Sequence, residues 1–323
     1  FRDSDEELFE DNPKEYIRRD VEGSDADTRR RAALELVRGL RKNYEAQVTQ
    51  YLAADIQRLL GEYAAGTEGA WRAKDVAISL ITAVAVTTTS AAQGAVTTNT
   101  LVPIADLYRG HVLPELLTPK PSTHPVVKAD CLKFITTFRR VLSSTPAESK
   151  ELFQVLIQAL SDSNFVVQTY AATAIEKLLA IRDPQTQQSR FTKEFILSFA
   201  PTLVEKLFAC LPLNDDLRVE NEYVMRALLR VFSVLKEQSV TFSTAAFGKL
   251  IQSLKFVSQN PRNPHFNHAL FESIACLARN VLTANPSSLH ALETLLLPVF
   301  QEILVKDVAD FMPYVFQLLA MLI

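Results

Sequence analysis

Apolar residues in this chain recur every three or four positions, and the stripes they form restart at intervals of roughly 40 to 55 residues. That double period constrains the fold more than any single motif. Leu292, Leu295, Leu296, Val299, Phe300, Ile303 and Leu304 lie on one face of a helix, and a face that apolar must be covered. The same spacing returns at Val167, Ala171, Ala174, Ile175, Leu178 and Leu179, where small alanines let a neighbouring helix come close. First helices of successive pairs are expected near Asp25, Trp71, Pro125, Asn164, Arg218, Pro264 and Val308. The interval is that of HEAT or armadillo units and is longer than a tetratricopeptide unit. The fold class that follows is all-α: a right-handed HEAT-repeat superhelix of about six helical hairpins and one truncated helix.

Punctuation agrees with this division. Pro119 with Pro121, Asp183-Pro184, Asn260-Pro261 with Asn263-Pro264, and Asn285-Pro286 stand where helices should stop. Pro201 and Pro298 fall inside second helices, where they bend the rod or occupy its first turn. With 8 glycines in 323 residues and no sustained alternation, no strand is expected. The longest apolar run, Val76 to Val86, is about half the length of a membrane span and reads as a buried helix.

The start of the chain is different in kind. Of the first 50 residues 23 are charged, with Asp3, Asp5, Glu6, Glu7, Glu10 and Asp11 crowded together. Residues 1–24 read as an exposed acidic insertion or linker, with a short helix near Tyr16 to Arg19, ahead of one continuous solenoid over 25–323. The chain begins with Phe1 and ends within a periodic apolar helix, so it reads as a fragment.

Composition and motifs exclude most chemistry. A net charge of −3 argues against nucleic acid, which needs clustered cations in excess. Cys131, Cys210 and Cys276 are odd in number, far apart and flanked by apolar residues, so they read as buried thiols without a disulfide framework or a zinc site. Gly248-Lys249 lacks the glycine-rich turn that cradles phosphate. His265 and His268 are one helical turn apart but lack a third metal ligand. The carboxylate pairs Glu220 with Glu222, and Glu6 with Glu7, read as solvated faces. Trp71 opens a helix either as core packing or as a partner anchor. No catalytic residue, cofactor or metal is assigned.

Specific strings add to this reading. Glu10 to Asp20 is EDNPKEYIRRD, followed by VEGSDADTRRRAA; Glu220 to Met225 is ENEYVM; Asn260 to Glu272 is NPRNPHFNHALFE; Asp310 to Gln317 is DFMPYVFQ. In combination they resemble the importin-beta superfamily, in the branch of exportins that return importin-alpha to the cytoplasm, and the similarity runs from end to end. The resemblance implies a non-enzymatic receptor that binds RanGTP and importin-alpha together, shuttles between nucleus and cytoplasm, acts as a monomer and inserts in no membrane. Two contact surfaces are expected. One is the charged segment with Glu10, Asp11, Glu15, Arg18 and Arg19; its plain alternative is a solvated loop that caps a hairpin. The other is the proline-punctuated loop with Arg262, Asn263 and His265; its alternative is a structural turn. Another HEAT scaffold, such as a phosphatase subunit or a different karyopherin, stays open.

Overall fold

A computed structural model describes residues 2–22, 29–117, 123–183 and 185–322. The expected helix start at Asp25, the turn at Pro119 and Pro121, and Pro184 lie outside the described residues. The chain divides into two compact units, Phe1–Leu178 and Leu179–Ile323.

The second unit follows the periodicity closely. Its helices are α10 (Lys193–Leu197), α11 (Ala200–Ala209), α12 (Asp216–Val219), α13 (Glu222–Leu235), α14 (Ser243–Val257), α15 (Pro264–Ala284), α16 (Leu289–Val305) and α17 (Met312–Leu322). α13 packs on α10, α11 and α15, α14 packs on α15 and α16, and α16 packs on α17. Each pair therefore covers the stripe of the next. The buried residues of α16, Leu292, Leu296, Val299, Phe300 and Ile303, belong to the stripe read from the sequence. Pro201 sits in the first turn of α11, where its missing N–H has no partner to lose, and Pro298 lies inside α16. The stretch Pro286–Val305 is long and apolar enough, by length and composition, to cross a membrane, with a mean hydropathy of 1.3.

The first unit departs from the pattern in three places. Residues 3–22 form two helices, α1 (Asp3–Asp11) and α2 (Pro13–Glu22), which bury Phe9 and Ile17. What composition suggested was an exposed linker is a packed part of this unit, because one apolar residue per helix points inward among many charges. Next, α3 (Arg29–Ala64) is a 36-residue helical stretch broken at Tyr44, where the backbone leaves helical geometry (φ −134, ψ 45), and it lies against α4 (Trp71–Ala85), so a broken rod stands where a full hairpin before Trp71 was expected.

The third departure follows α4 directly. Val86 ends the apolar run as the first residue of an antiparallel ribbon, β1 (Val86–Ser90) with β2 (Gly94–Thr98). The expectation of no strands fails here because Val86-Thr87-Thr88-Thr89 is β-branched throughout and Gly94 adopts φ +74, a conformation open to glycine at no steric cost. The chain returns through α5 (Ile104–Leu107), a π-helical turn at Tyr108–Val112 and α6 (Leu113–Leu117). Regular packing resumes with α7 (Pro125–Leu142), α8 (Pro146–Ala159) and α9 (Phe165–Leu179). α8 opens with a full capping box, Thr145 accepting from the Glu148 N–H at 3.2 Å while Glu148 accepts from the Thr145 N–H at 3.0 Å.

Candidate partner-binding surface

The string EDNPKEY builds a helix, a turn and a second helix. Asp3, Asp5 and Glu6 fill the first turn of α1, where carboxylates complement the helix dipole. Asn12 ends α1, and its side chain accepts from the Glu15 N–H at 3.3 Å while Pro13 takes the first position of α2. Phe9 meets Tyr16 edge to face at 5.0 Å, which fixes the angle between the two helices.

This arrangement gives the pair an outer charged face. Glu10 and Asp11 are exposed, and Glu15 lies between Arg18 at 2.8 Å and Arg19 at 2.6 Å, its partners at i+3 and i+4. Hydrogen bonds from Arg18 and then Arg19 bring the Glu15 carboxyl down to about 2. Both guanidiniums are thus held on a helix, as expected near Tyr16 to Arg19, though it is longer than that, Pro13–Glu22.

The inner face is tied down by residues of which the sequence pattern had singled out Trp71 alone. Arg72 of α4 reaches Asp3 at 3.1 Å and Glu6 at 2.6 Å. Trp71 is half-buried and stacks on His124 with ring centroids 3.9 Å apart, while the Arg72 guanidinium lies over the same indole, 4.6 Å from its centroid. Burial lowers the His124 imidazole below its ordinary value against the pull of Glu6 and Glu10, so its contact with Glu6 at 3.8 Å joins a largely neutral ring to a carboxylate. At the far end of α2, Asp20 accepts from Lys133 at 2.7 Å and from the Tyr170 hydroxyl.

The second expected surface is differently employed. Asn263 caps α15, accepting from the Phe266 N–H at 3.0 Å, and its amide donates to the Glu220 carbonyl at 3.2 Å. Arg262 bridges Asp216 at 3.1 Å and Glu220 at 2.9 Å. Glu220 is only 5% exposed, which corrects the reading of Glu220 and Glu222 as a solvated pair: a proline-containing loop lays an arginine over it. Of the three residues named for this loop, His265 alone faces solvent without a structural task of this kind. His268 is turned toward Tyr314, 3.4 Å from its hydroxyl. Among the described residues no group of three or more His, Cys, Asp or Glu could hold a metal.

Serially packed helix pairs with charged outer faces define the class: a HEAT-type helical-repeat solenoid. Family models described as Cse1 and as CAS/CSE protein, C-terminus, match residues 1–175 and 176–323, and the chain belongs to this family of exportins. It is 42% identical over 324 residues to Exportin-2 of Oreochromis niloticus and 42% identical to that of Homo sapiens, covering 100% of this chain and 33% of each relative. Exportin-2 of Drosophila melanogaster is 40% identical over 322 residues, 32% of its length. A solved structure titled "The exportin Cse1 in its cargo-free, cytoplasmic state" matches with a TM-score of 0.83 and 32% identity over 100% of this chain and 33% of that one. The chain thus spans about a third of the length of the relatives it matches.

Proposed function

We propose that this chain is a segment of a nuclear export receptor that carries importin-alpha from nucleus to cytoplasm in complex with RanGTP, and that it catalyses nothing itself. The observation that carries the reading is the likeness to Exportin-2 along every part of the chain, both repeat units included. The receptor shuttles between the two compartments as a monomer. Its physical principle is that of a spring: stacked helix pairs share a continuous core, so small rotations at successive seams add up to a large change of pitch. Two ligands that favour the same curvature then bind cooperatively, each raising the affinity of the other by the same factor.

Within this segment the outer face of α1 and α2 is the favoured contact surface. Glu10, Asp11, Glu15, Arg18 and Arg19 present both signs of charge from a rigid pair, a pattern suited to steering and register. Arg262 and Asn263 serve their own loop, which leaves His265 as that loop's contribution. Reversing Arg18 and Arg19 to Glu in the full-length receptor should weaken assembly with RanGTP and importin-alpha by about tenfold or more, measured by pull-down and titration. Undiminished affinity would remove this face from the interface; retention of importin-alpha without RanGTP would count against the export reading altogether.

A further inference from the structure

A cleft in the second unit has one apolar wall and one wall of hydrogen-bond donors. The end of α11 and the loop after it contribute Phe208, Leu211 and Leu213, and α14 contributes Lys249, Gln252 and Ser253. The last three stand at i, i+3 and i+4, so a single face of α14 brings them to the cleft together. The volume, about 380 Å³, lies at the lower end of the roughly 300–1,000 Å³ of ligand pockets: room for a pair of side chains and not for an extended cofactor.

The donors have no task within the fold. Among the described residues, no side chain or carbonyl meets the Lys249 ammonium, the Gln252 amide or the Ser253 hydroxyl in a hydrogen bond or ion pair. Ser253 is the informative member, because it is only 3% exposed. Elsewhere in this unit helical serines turn back on their own helix, Ser233 to the Leu229 carbonyl and Ser273 to that of Ala269, at 2.7 Å each. Ser253 does not, and its hydroxyl is left to whatever fills the cleft. Two simpler tasks for Lys249 are already taken. The last carbonyls of α11 accept from the chain itself: those of Lys206 and Leu207 from the Cys210 N–H, that of Phe208 from the Leu211 N–H. The acids that follow the loop, Asp215 and Asp216, pair with Arg218 at 3.2 Å and Arg262 at 3.1 Å.

We propose that this cleft is a docking site for an internal segment of a partner protein in which a large apolar residue stands beside an aspartate or glutamate. The apolar side chain displaces water from Phe208, Leu211 and Leu213. The carboxylate takes its hydrogen bonds from Lys249, Gln252 and Ser253, the ammonium supplying the opposite charge and the two neutral donors fixing orientation. A neutral apolar segment would leave the ammonium and the Ser253 hydroxyl unmet, and an acid without an apolar neighbour would leave the Phe208 wall wet. A small free acid suits the cleft less well: Leu213, Lys249 and Gln252 are exposed, so such a ligand would stay half in water, whereas a segment held by the rest of its chain gains from a shallow anchor. The site lies in the other unit from the α1–α2 surface and stands without it.

The test uses the full-length receptor and an acetylated, amidated tetrapeptide whose two central residues are a photoactivatable diazirine leucine and aspartate. Irradiation should attach this probe to residues 208–214 or 249–253, read by mass spectrometry, and an excess of the same peptide with ordinary leucine should suppress the labelling. Exchanging the probe's aspartate for asparagine, or Lys249→Gln in the receptor, should each cut the yield about tenfold, and Ser253→Ala about threefold. Lys249 is an exposed helix position, so folding is not at stake in that variant. A probe with alanine in place of ordinary leucine should fail to compete. Labelling elsewhere on the receptor, or equal labelling by the asparagine probe, overturns the proposal. So does labelling that appears only when the peptide ends in a free carboxylate, which would give the cleft to chain ends instead of internal segments, and so does suppression by acetylated leucine as strong as that by the tetrapeptide, which would give it to a small acid.

Discussion

The two units bury different things. In Leu179–Ile323 the interior is Phe232, Phe266, Phe271, Phe300, Phe311 and their aliphatic neighbours, with small polar groups such as Ser239, Ser253 and Ser273, and Glu220 is its single buried side chain of the Asp, Glu, Lys or Arg type among the described residues. In Phe1–Leu178 five side chains of those types, Arg41, Lys74, Asp75, Asp130 and Arg139, are buried among comparable apolar packing. The contrast follows from what each unit must hold. A regular helix pair satisfies its own backbone and needs only a stripe. A ribbon, a π-helical turn and an appended helical pair leave peptide groups that something else must meet.

Long charged side chains do that work in the first unit. Arg41 of α3 donates to the Val86 carbonyl at 2.7 Å and to Thr87 at 2.8 Å, at the base of the ribbon. Arg139 and Arg140 of α7 reach its tip, at the Ala91 carbonyl, 3.1 Å, and the Gln93 side chain, 2.5 Å. Beyond the π-helical turn, Glu115 of α6 is held by Lys74 at 3.2 Å and by the Tyr63 hydroxyl at 2.8 Å. Irregular elements are therefore stitched to the helices by polar contacts of long sequence separation, while the second unit is held mainly by shape.

If that distinction is right, the two units should fail differently. The largest effect is expected in the second: Phe232→Ala empties a site with 0% exposure in α13 and should cost about 4 kcal/mol, read as a lower urea midpoint with an unchanged slope. A loss under about 1 kcal/mol would mean that shape matters less there than argued. A middling effect is expected in the first unit from Gly94→Ala. The new methyl group would meet the Thr137 carbonyl and the Arg139 guanidinium at positive φ, so about 2 kcal/mol should go, together with exchange protection of the ribbon. Unaltered protection would show that the tip is not pressed against α7. The smallest effect is Asn263→Ala, which removes the α15 cap and should cost about 1 kcal/mol by thermal melting. A much larger loss would make that loop a structural keystone of the second unit.

The same contrast explains what could be read from the sequence. Helices α7, α9, α13, α15 and α16 were legible because the signal, an apolar residue at every third or fourth position, is contained within each segment. The ribbon was not. Val86 continues an apolar run without interruption, and the signals that mark the strands, a Val-Thr-Thr-Thr string and one glycine at 94, are too short to outweigh it. Charge at Glu10 to Arg19 was equally plain, but composition could not reveal that Phe9 and Ile17 anchor the segment. Asp20 meets Lys133 across 113 positions, and Arg262 meets Glu220 across 42. No periodicity carries information over such distances, so the partners of charged residues were the part left unread.

The cysteines give this division a practical use. Cys131 lies wholly inside the first unit and Cys210 inside the second, 0% and 1% exposed. Burial pushes the Cys131 thiol well above its ordinary value and the Cys210 thiol up to about 12, so neither offers a reactive thiolate while its surroundings are closed. An alkylating reagent can reach each sulfur only through opening of the core around it. Cys276, expected to be buried, is only half-buried; with it replaced by serine the chain carries two native chemical clocks, one per unit, and the ratio of their rates reports which half breathes first.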